Sequence, residues 1–369
     1  MCGNDVDERI WPAERGVDTD DLAVGGELAD RVVVRLACQV NELCAVEHGD
    51  RRVLRLGSEV DPEQPHMQIM IPRTGRMHGR IPANCHVPSL EVSHRSTVTP
   101  DQIDDLGHMN VRYYGINASA GTTALCERLG IARPLMRSSY TRHHHEQMEG
   151  ADLVVRSALI PGGERLRIYH ELRNDADDDL AATFVHELDH PAIDAPAFEL
   201  PAHGAPRSLS LTTDALASAP AIEQLHDLGL AMRKPRSVDT DDTQGADTVP
   251  PANFATLLWG GVPFEEHEWV RTLPNGDRYA YAVMEQRTWI RPGPVALGTN
   301  IQSFRASLEL REKVGRSIAW CYDTDTGEPL IASEAVDLCL NLTQRRAIAI
   351  PAESRSDTDP DFHPELAPH

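Results

Sequence analysis

Two runs of strict two-residue alternation narrow the possible folds more than any other feature of the chain. Leu166, Ile168, His170 and Leu172 alternate with Arg165, Arg167, Tyr169 and Glu171; much later, Phe304, Ala306, Leu308 and Leu310 alternate with Ser303, Arg305, Ser307 and Glu309. Successive side chains of a strand point to opposite faces, so each run reads as a strand with one apolar face. Residues 153–160 and 181–188 read as neighbours of the first run. Residues 316–322 and 330–342 accompany the second, joined by the hairpin signal Asp323-Thr324-Asp325-Thr326-Gly327-Glu328. Residues 94–99 read as a further strand. Residues 111–129 read as a helix, with Val111, Tyr114, Ala118, Leu125 and Leu129 near one face. Its middle holds Gly115, Ala118, Ser119, Ala120 and Gly121. Small residues cost helix propensity but let other structure approach closely. A second, short helix is expected over 252–259. Each half therefore reads as a helix followed by a strand meander, an α+β chain duplicated at the level of fold without a residue-level repeat.

A length of 369 residues allows two or three domains. Residues 1–30 carry nine acidic and two basic side chains, and no sustained period follows until about Ser93. Residues 1–92 are therefore expected to form an irregular or partly disordered extension. Residues 193–215 read as a connection and 233–251 as a loop. The Asp- and Pro-rich stretch 353–369 is expected to be a disordered tail. Lys plus Arg is 35 against 57 for Asp plus Glu, a net charge of −22, which disfavours general binding to nucleic-acid phosphate. A local basic patch could still receive an anionic cofactor. The seven cysteines are odd in number and widely spaced, with no CxxC, so free thiols in a reducing compartment are expected. No run of about 18 apolar residues suggests a membrane span, and the N-terminus lacks secretory character, so a cytoplasmic protein is expected.

The densest polar constellation is the segment from Thr97 to Tyr114, TVTPDQIDDLGHMNVRYY. It lies between a strand and the small-residue helix. Free backbone N–H groups at a helix start favour negative charge developing on an oxygen. A carboxylate beside them can act as base or nucleophile. Each residue also has a structural reading. Asp104 could cap the helix, His108 could fix the turn, and Asn110 could be the N-cap. Gly107 suits a backbone conformation that side chains disfavour. Asp101 and Asp105 read as turn and solvent residues. His143, His144 and His145 form a run, but on a strand only His143 and His145 would share a face, and two histidines do not make a metal site. Cys126, Cys321 and Cys339 read as packing. A G-x-S-x-G elbow, a Walker A loop and a G-x-G-x-x-G loop are all missing from the sequence.

Asp104, Gly107, His108 and Asn110 resemble the Asp-x-x-Gly-His-x-Asn segment of hotdog-fold thioesterases in the 4-hydroxybenzoyl-CoA thioesterase-like superfamily. The stretch from Ile103 to Tyr114 looks most like the branch acting on small acyl-CoAs, including betainyl-CoA thioesterases. Tyr140 to His143, Glu146 and Gly150 are similar to that family's second strand and turn, and His186 to His190 resemble its last strand. The resemblance implies a tandem (double) hotdog, each unit an antiparallel sheet wrapped around a central helix. The first unit, 93–200, would carry the motif; the second, 205–352, has no second copy of it and would serve as a packing partner and pocket wall. The implied activity is hydrolysis of an acyl thioester, with acyl-CoA as substrate, no cofactor and no metal. Asp104, His108 and Asn110 would be catalytic. Gly107, Val111, Arg112, Tyr113 and Glu146 would line the substrate site, and Arg112, Arg137 and Arg142 could meet coenzyme A phosphates. A homodimer of double-hotdog chains is a further expectation. The alternatives are an acyl-[acyl carrier protein] thioesterase and a non-catalytic acyl-thioester-binding protein. A hotdog hydratase would present Asp-x-Asn-x-x-His, which the sequence lacks.

Overall fold

The computed structural model describes residues 90–104, 106–132, 135–232, 234–259, 270–352 and 361–368. The expectations for residues 1–89 and for Asp105 lie outside the described residues.

The first half comprises β1 (Glu91–Thr97), α1 (Val111–Arg128), β2 (Met136–His143), β3 (Asp152–Ile160), β4 (Arg165–Asn174) and β5 (Leu180–Pro191). The second comprises α2 (Ile222–Asp227), β6 (Arg236–Ser237), α3 (Thr240–Thr243), α4 (Phe254–Trp259), β7 (Arg271–Thr272), β8 (Arg278–Ile290), β9 (Asn300–Leu310), β10 (Val314–Asp323), β11 (Pro329–Asn341) and β12 (Arg346–Ala347). These strands form one 12-stranded sheet in the order β1-β3-β4-β5-β2-β8-β11-β10-β9-β6, with β12 on β11 and β7 on β8. The described strand pairs are antiparallel. About the β2–β8 pairing, where residues 138–142 meet 285–289, the second half runs through its strands in the mirrored order of the first.

The two faces of β4 divide as the alternation predicts. Leu166, Ile168, His170 and Leu172 lie on the helix side. There α1 packs across β1, β3, β4 and β5. Leu153, Val155, Leu172 and Phe184 form a core with Tyr114 and Ala118 of α1. Burying each large apolar side chain of this kind contributes about 1.5–3 kcal/mol. A second core on the helix side spans both halves. It joins Leu125, Cys126, Met136 and Ile168 to Phe254, Leu257, Leu258, Ile301 and Cys321.

The helix begins with Asn110, whose side-chain oxygen accepts the Arg112 amide, and its last turn gives way to Gly130 at φ +70°. Its small residues have a visible cause at Gly121. A Cβ there would lie 2.7 Å from Ser93 Oγ and 2.8 Å from Val155 Cγ1. A buried polar chain runs under this contact. Ser93 Oγ meets Ser157 Oγ at 2.6 Å, and Ser157 Oγ meets His170 Nδ1 at 2.6 Å. Thr122 Oγ1 lies 2.9 Å from His170 Nε2 and 2.7 Å from His186 Nδ1. Burial pushes His186 down to about 3 and His170 well below its ordinary value, so both rings are neutral.

The opposite face of the sheet carries charged groups, and the connection after β5 covers it. Glu285 of β8 accepts the Tyr140 hydroxyl at 2.7 Å and backbone N–H groups of Arg207, Ser208 and Leu209 at 3.0–3.3 Å. Glu171 receives Tyr169, Arg173 and His203, and Trp289 Nε1 donates to Thr213 O. Buried charge needs partners of this kind, and residues 202–213 supply many of them from a stretch expected only to connect.

Several boundaries differ from expectation. β1 begins at Glu91, inside the stretch assigned to the extension. Val111 is exposed, because Tyr114, Asn117, Ala118, Gly121, Thr122, Leu125 and Cys126 make the buried face of α1. Residues 236–243, expected as loop, hold β6 and α3. Residues 361–368, expected in a disordered tail, pack against β9: Ser307 N donates to Asp361 O, His363 N donates to Ser307 O, and Leu366 and Ala367 join an apolar core. Among the described residues, no helix is long and apolar enough to cross a membrane.

Candidate active site

The polar segment forms a tight loop between β1 and α1. The Asp104 amide donates to His108 O at 2.9 Å, and the Gly107 amide donates to Asp104 O at 3.0 Å. Gly107 sits at φ +86°, a conformation that a side chain would strain. Asp104 Oδ1 accepts the Leu106 amide at 2.9 Å, which is an Asx-turn. Its Oδ2 lies 3.4 Å from His108 Nδ1. Asp104 thus shapes its own loop and does not cap α1, a role taken by Asn110.

His108 stands between two carboxylates. Its Nε2 lies 3.5 Å from Glu146 Oε1. Side-chain exposure is similar for the three, 16% for Asp104, 15% for His108 and 13% for Glu146. They are screened from bulk water without being sealed from it. Glu146 was expected on a strand. It lies instead in the irregular stretch after β2, which ends at His143. Two hydrogen bonds hold that stretch to the motif: Met109 N donates to Gln147 O at 2.7 Å, and Gln147 N donates to the Tyr114 hydroxyl at 3.0 Å. Burial pushes the Tyr114 hydroxyl up, so it remains a neutral donor and acceptor.

Glu146 has a second partner that no local pattern announced. Its Oε2 meets Arg345 Nη2 at 2.5 Å. Arg345 belongs to the turn between β11 and β12, 199 residues away in sequence and in the other half of the sheet. Only the pairing of the two halves brings them together, so a single sequence carries no signal for it.

The remaining expected site residues divide. Val111, Arg112 and Tyr113 form the exposed or half-buried first turn of α1; the Arg112 guanidinium lies 5.1 Å from the Tyr113 ring centroid. The Tyr113 hydroxyl donates to Asp101 O at 3.4 Å. Arg142, expected at a phosphate, is buried against the connection and donates to Ala202 O and Ala205 O at 3.0 and 2.8 Å. That is a structural role on the face away from α1. Arg137 is half-buried, with a buried Nη1 that has no hydrogen-bond partner among the described residues. His143 packs edge-on against Tyr114 at 5.3 Å, and burial pushes it down to about 4. His144 packs against His203 instead. The alternation argument for the run fails beyond His143 because the strand ends there. Among the described residues, no cluster of three or more His, Cys, Asp or Glu could hold a metal ion.

Before α4, the described residues of the second half show no histidine held between two carboxylates. There Asp242, 3% exposed, is held by both Arg236 guanidinium nitrogens, by Thr256 Oγ1 at 2.9 Å and by the Asp239 amide at 3.1 Å. These four donors leave its carboxylate bound within the fold.

No family model matches the chain, and no curated protein sequence matches it. Solved structures similar to it include thioesterases and hotdog-fold proteins, one of them with a double hotdog fold. An acyl-ACP thioesterase from Bacteroides thetaiotaomicron is 9% identical over 66% of this chain and 96% of its own, with a TM-score of 0.46. A 12:0-ACP thioesterase from Umbellularia californica is 9% identical over 67% and 93%, with a TM-score of 0.44. A double-hotdog protein from Mycobacterium tuberculosis is 12% identical over 68% and 96%, with a TM-score of 0.41.

Proposed function

We propose that this chain is a thioester hydrolase of two hotdog units with a single working site, in the first unit, and that its substrate is an acyl-CoA. The observation that carries the reading is His108 held between Asp104 and Glu146 at the foot of an exposed helix N-terminus. Such a group supplies what thioester hydrolysis needs. A water attacks the thioester carbonyl carbon, and its proton passes to the Asp104–His108 pair. The carbonyl oxygen becomes an oxyanion, favoured by the Val111 amide at the helix start, where the neighbouring amides of Asn110, Arg112 and Tyr113 donate to Gln102 O, Asn110 Oδ1 and Asn110 O. When the carbon–sulfur bond breaks, the thiolate leaves and His108 returns a proton to it, giving a free acid and a thiol. Contacts of 3.4–3.5 Å are loose for proton transfer, as catalytic contacts often are before substrate binds. The bound-up Asp242 in the second unit supports the assignment of one site per chain.

The test is a panel of acyl-CoAs of different chain length and polarity, read by free-thiol release, with the matching acyl carrier protein thioesters beside it. Turnover of acyl-CoA supports the reading. Turnover of the carrier-protein esters alone would move the substrate to that class. No release from either overturns it.

A further inference from the structure

The turn that delivers Arg345 to Glu146 is built with more care than a surface turn requires. Arg345 adopts φ +50°, a left-handed conformation that non-glycine residues rarely take. Such strain persists where surrounding structure holds it, often at functional sites. Here the surrounding bonds are visible. Asp277 Oδ2 accepts Asn341 Nδ2 at 2.9 Å and Gln344 Nε2 at 2.6 Å. Asn341 Oδ1 accepts the Gln344 amide at 2.8 Å, and Thr343 Oγ1 accepts the Arg278 amide at 3.1 Å. The turn is thus pinned to the β7–β8 hairpin on one side. Its arginine reaches across to the other half of the sheet. The guanidinium is 35% exposed and the carboxylate 13%.

We propose that Arg345 is a positioning residue of the site in the first unit: it holds the Glu146 carboxylate aimed at His108, so that the second unit completes the machinery it does not itself carry. This rests on the hydrolase reading. Glu146 has one oxygen toward His108 and the other toward Arg345. Without the cation, the carboxylate would be free to turn away from His108. The groups facing Glu146 are His108 and, through it, Asp104 from the motif loop, Tyr114 from α1, and Arg345 from the β11–β12 turn.

The experiment compares wild type, Arg345→Gln, Arg345→Lys, Glu146→Gln and the double variant Arg345→Gln/Glu146→Gln. In Arg345→Gln, kcat should fall by about 100-fold, the scale of a misplaced catalytic group. KM should change little. Arg345→Lys should restore part of kcat. The double variant should lose little more than Glu146→Gln alone, because both substitutions disable one unit. A loss confined to KM would make Arg345 a substrate contact and overturn the proposal, as would additive losses. Thermal melting of the same set needs no substrate. Non-additive Tm losses would establish the Arg345–Glu146 coupling even if wild type hydrolysed no thioester, an outcome that would sink the hydrolase reading alone. Strictly additive melting would show that the pair does not interact.

Discussion

Asp104 gives one carboxylate oxygen to the Leu106 amide and turns the other toward His108. A substitution there must separate loop shape from chemistry. Asp104→Asn keeps an oxygen for the Leu106 amide while removing the base, so the chain should stay folded. Under the proposed mechanism kcat should fall by roughly 10²–10⁴-fold, the usual weight of general acid–base work, with a modest change in KM. Asp101→Asn, at an exposed residue of the same loop, is the control and should behave as wild type. Steady-state kinetics with circular dichroism decides the case: near-normal turnover in a folded Asp104→Asn would remove this carboxylate from the mechanism. The motif was readable because Asp104, Gly107, His108 and Asn110 fall within seven consecutive residues. Spacing along a loop places them together whatever the rest of the chain does. Arg345 was unreadable for the opposite reason, since its nearness to Glu146 depends on strand pairing between two halves.

At the scale of elements, α1 shows why two glycines in one helix can differ in sign. Gly115 has nothing within 4 Å of a built Cβ, whereas Gly121 meets Ser93 Oγ and Val155 Cγ1 at 2.7 and 2.8 Å. Replacing a helical glycine by alanine favours the helix by about 1 kcal/mol. At position 115 that gain is unopposed, so Gly115→Ala should raise Tm. At position 121 the methyl must displace a stiff, β-branched valine and a serine held in the buried chain to Ser157. Overpacking of this kind costs about 1–3 kcal/mol, so Gly121→Ala should lower Tm despite better propensity. Calorimetry on the two variants checks the difference, and equal shifts would contradict the close approach of β1 and β3 to α1. The cluster of small residues in the sequence suggested such an approach but not its location. Only the observed face, with Tyr114 and Ala118 inward and Val111 outward, separates position 121 from 115.

Across the whole molecule, the alternating strands were readable as units, while the continuity of the sheet through β2 and β8 and the covering of its charged face by residues 202–213 were not. Those features are long-range: Glu285 finds its amides and Tyr140 its carboxylate only after both halves have paired. The same long-range burial sets the response to acid. His170 and His186, 0% and 1% exposed, join strands β4 and β5 to α1 through Thr122 and are held neutral. In the unfolded chain a histidine binds its proton near pH 6.5. Below that pH the unfolded state therefore holds more protons than the folded state, and stability must fall as pH falls. The contribution is complete above about pH 6.5 and is lost progressively toward about 3, where His186 would titrate in the fold. The slope is on the order of 1 kcal/mol per histidine per pH unit. Glu334 acts in the other direction, since burial pushes its carboxyl up and protonation favours the fold. Burial pushes the Asp337 carboxyl up as well, and the effect of both runs from the ordinary carboxylate range upward, against that of the histidines. Urea midpoints measured at pH 7, 6 and 5 should decline steadily. In His170→Gln/His186→Gln, where an amide can still meet Thr122 but cannot titrate, the decline over this window should be markedly shallower. A decline as steep in the double variant as in wild type would mean that these rings take up protons inside the fold, and that the chain from Ser93 to His186 is open to water.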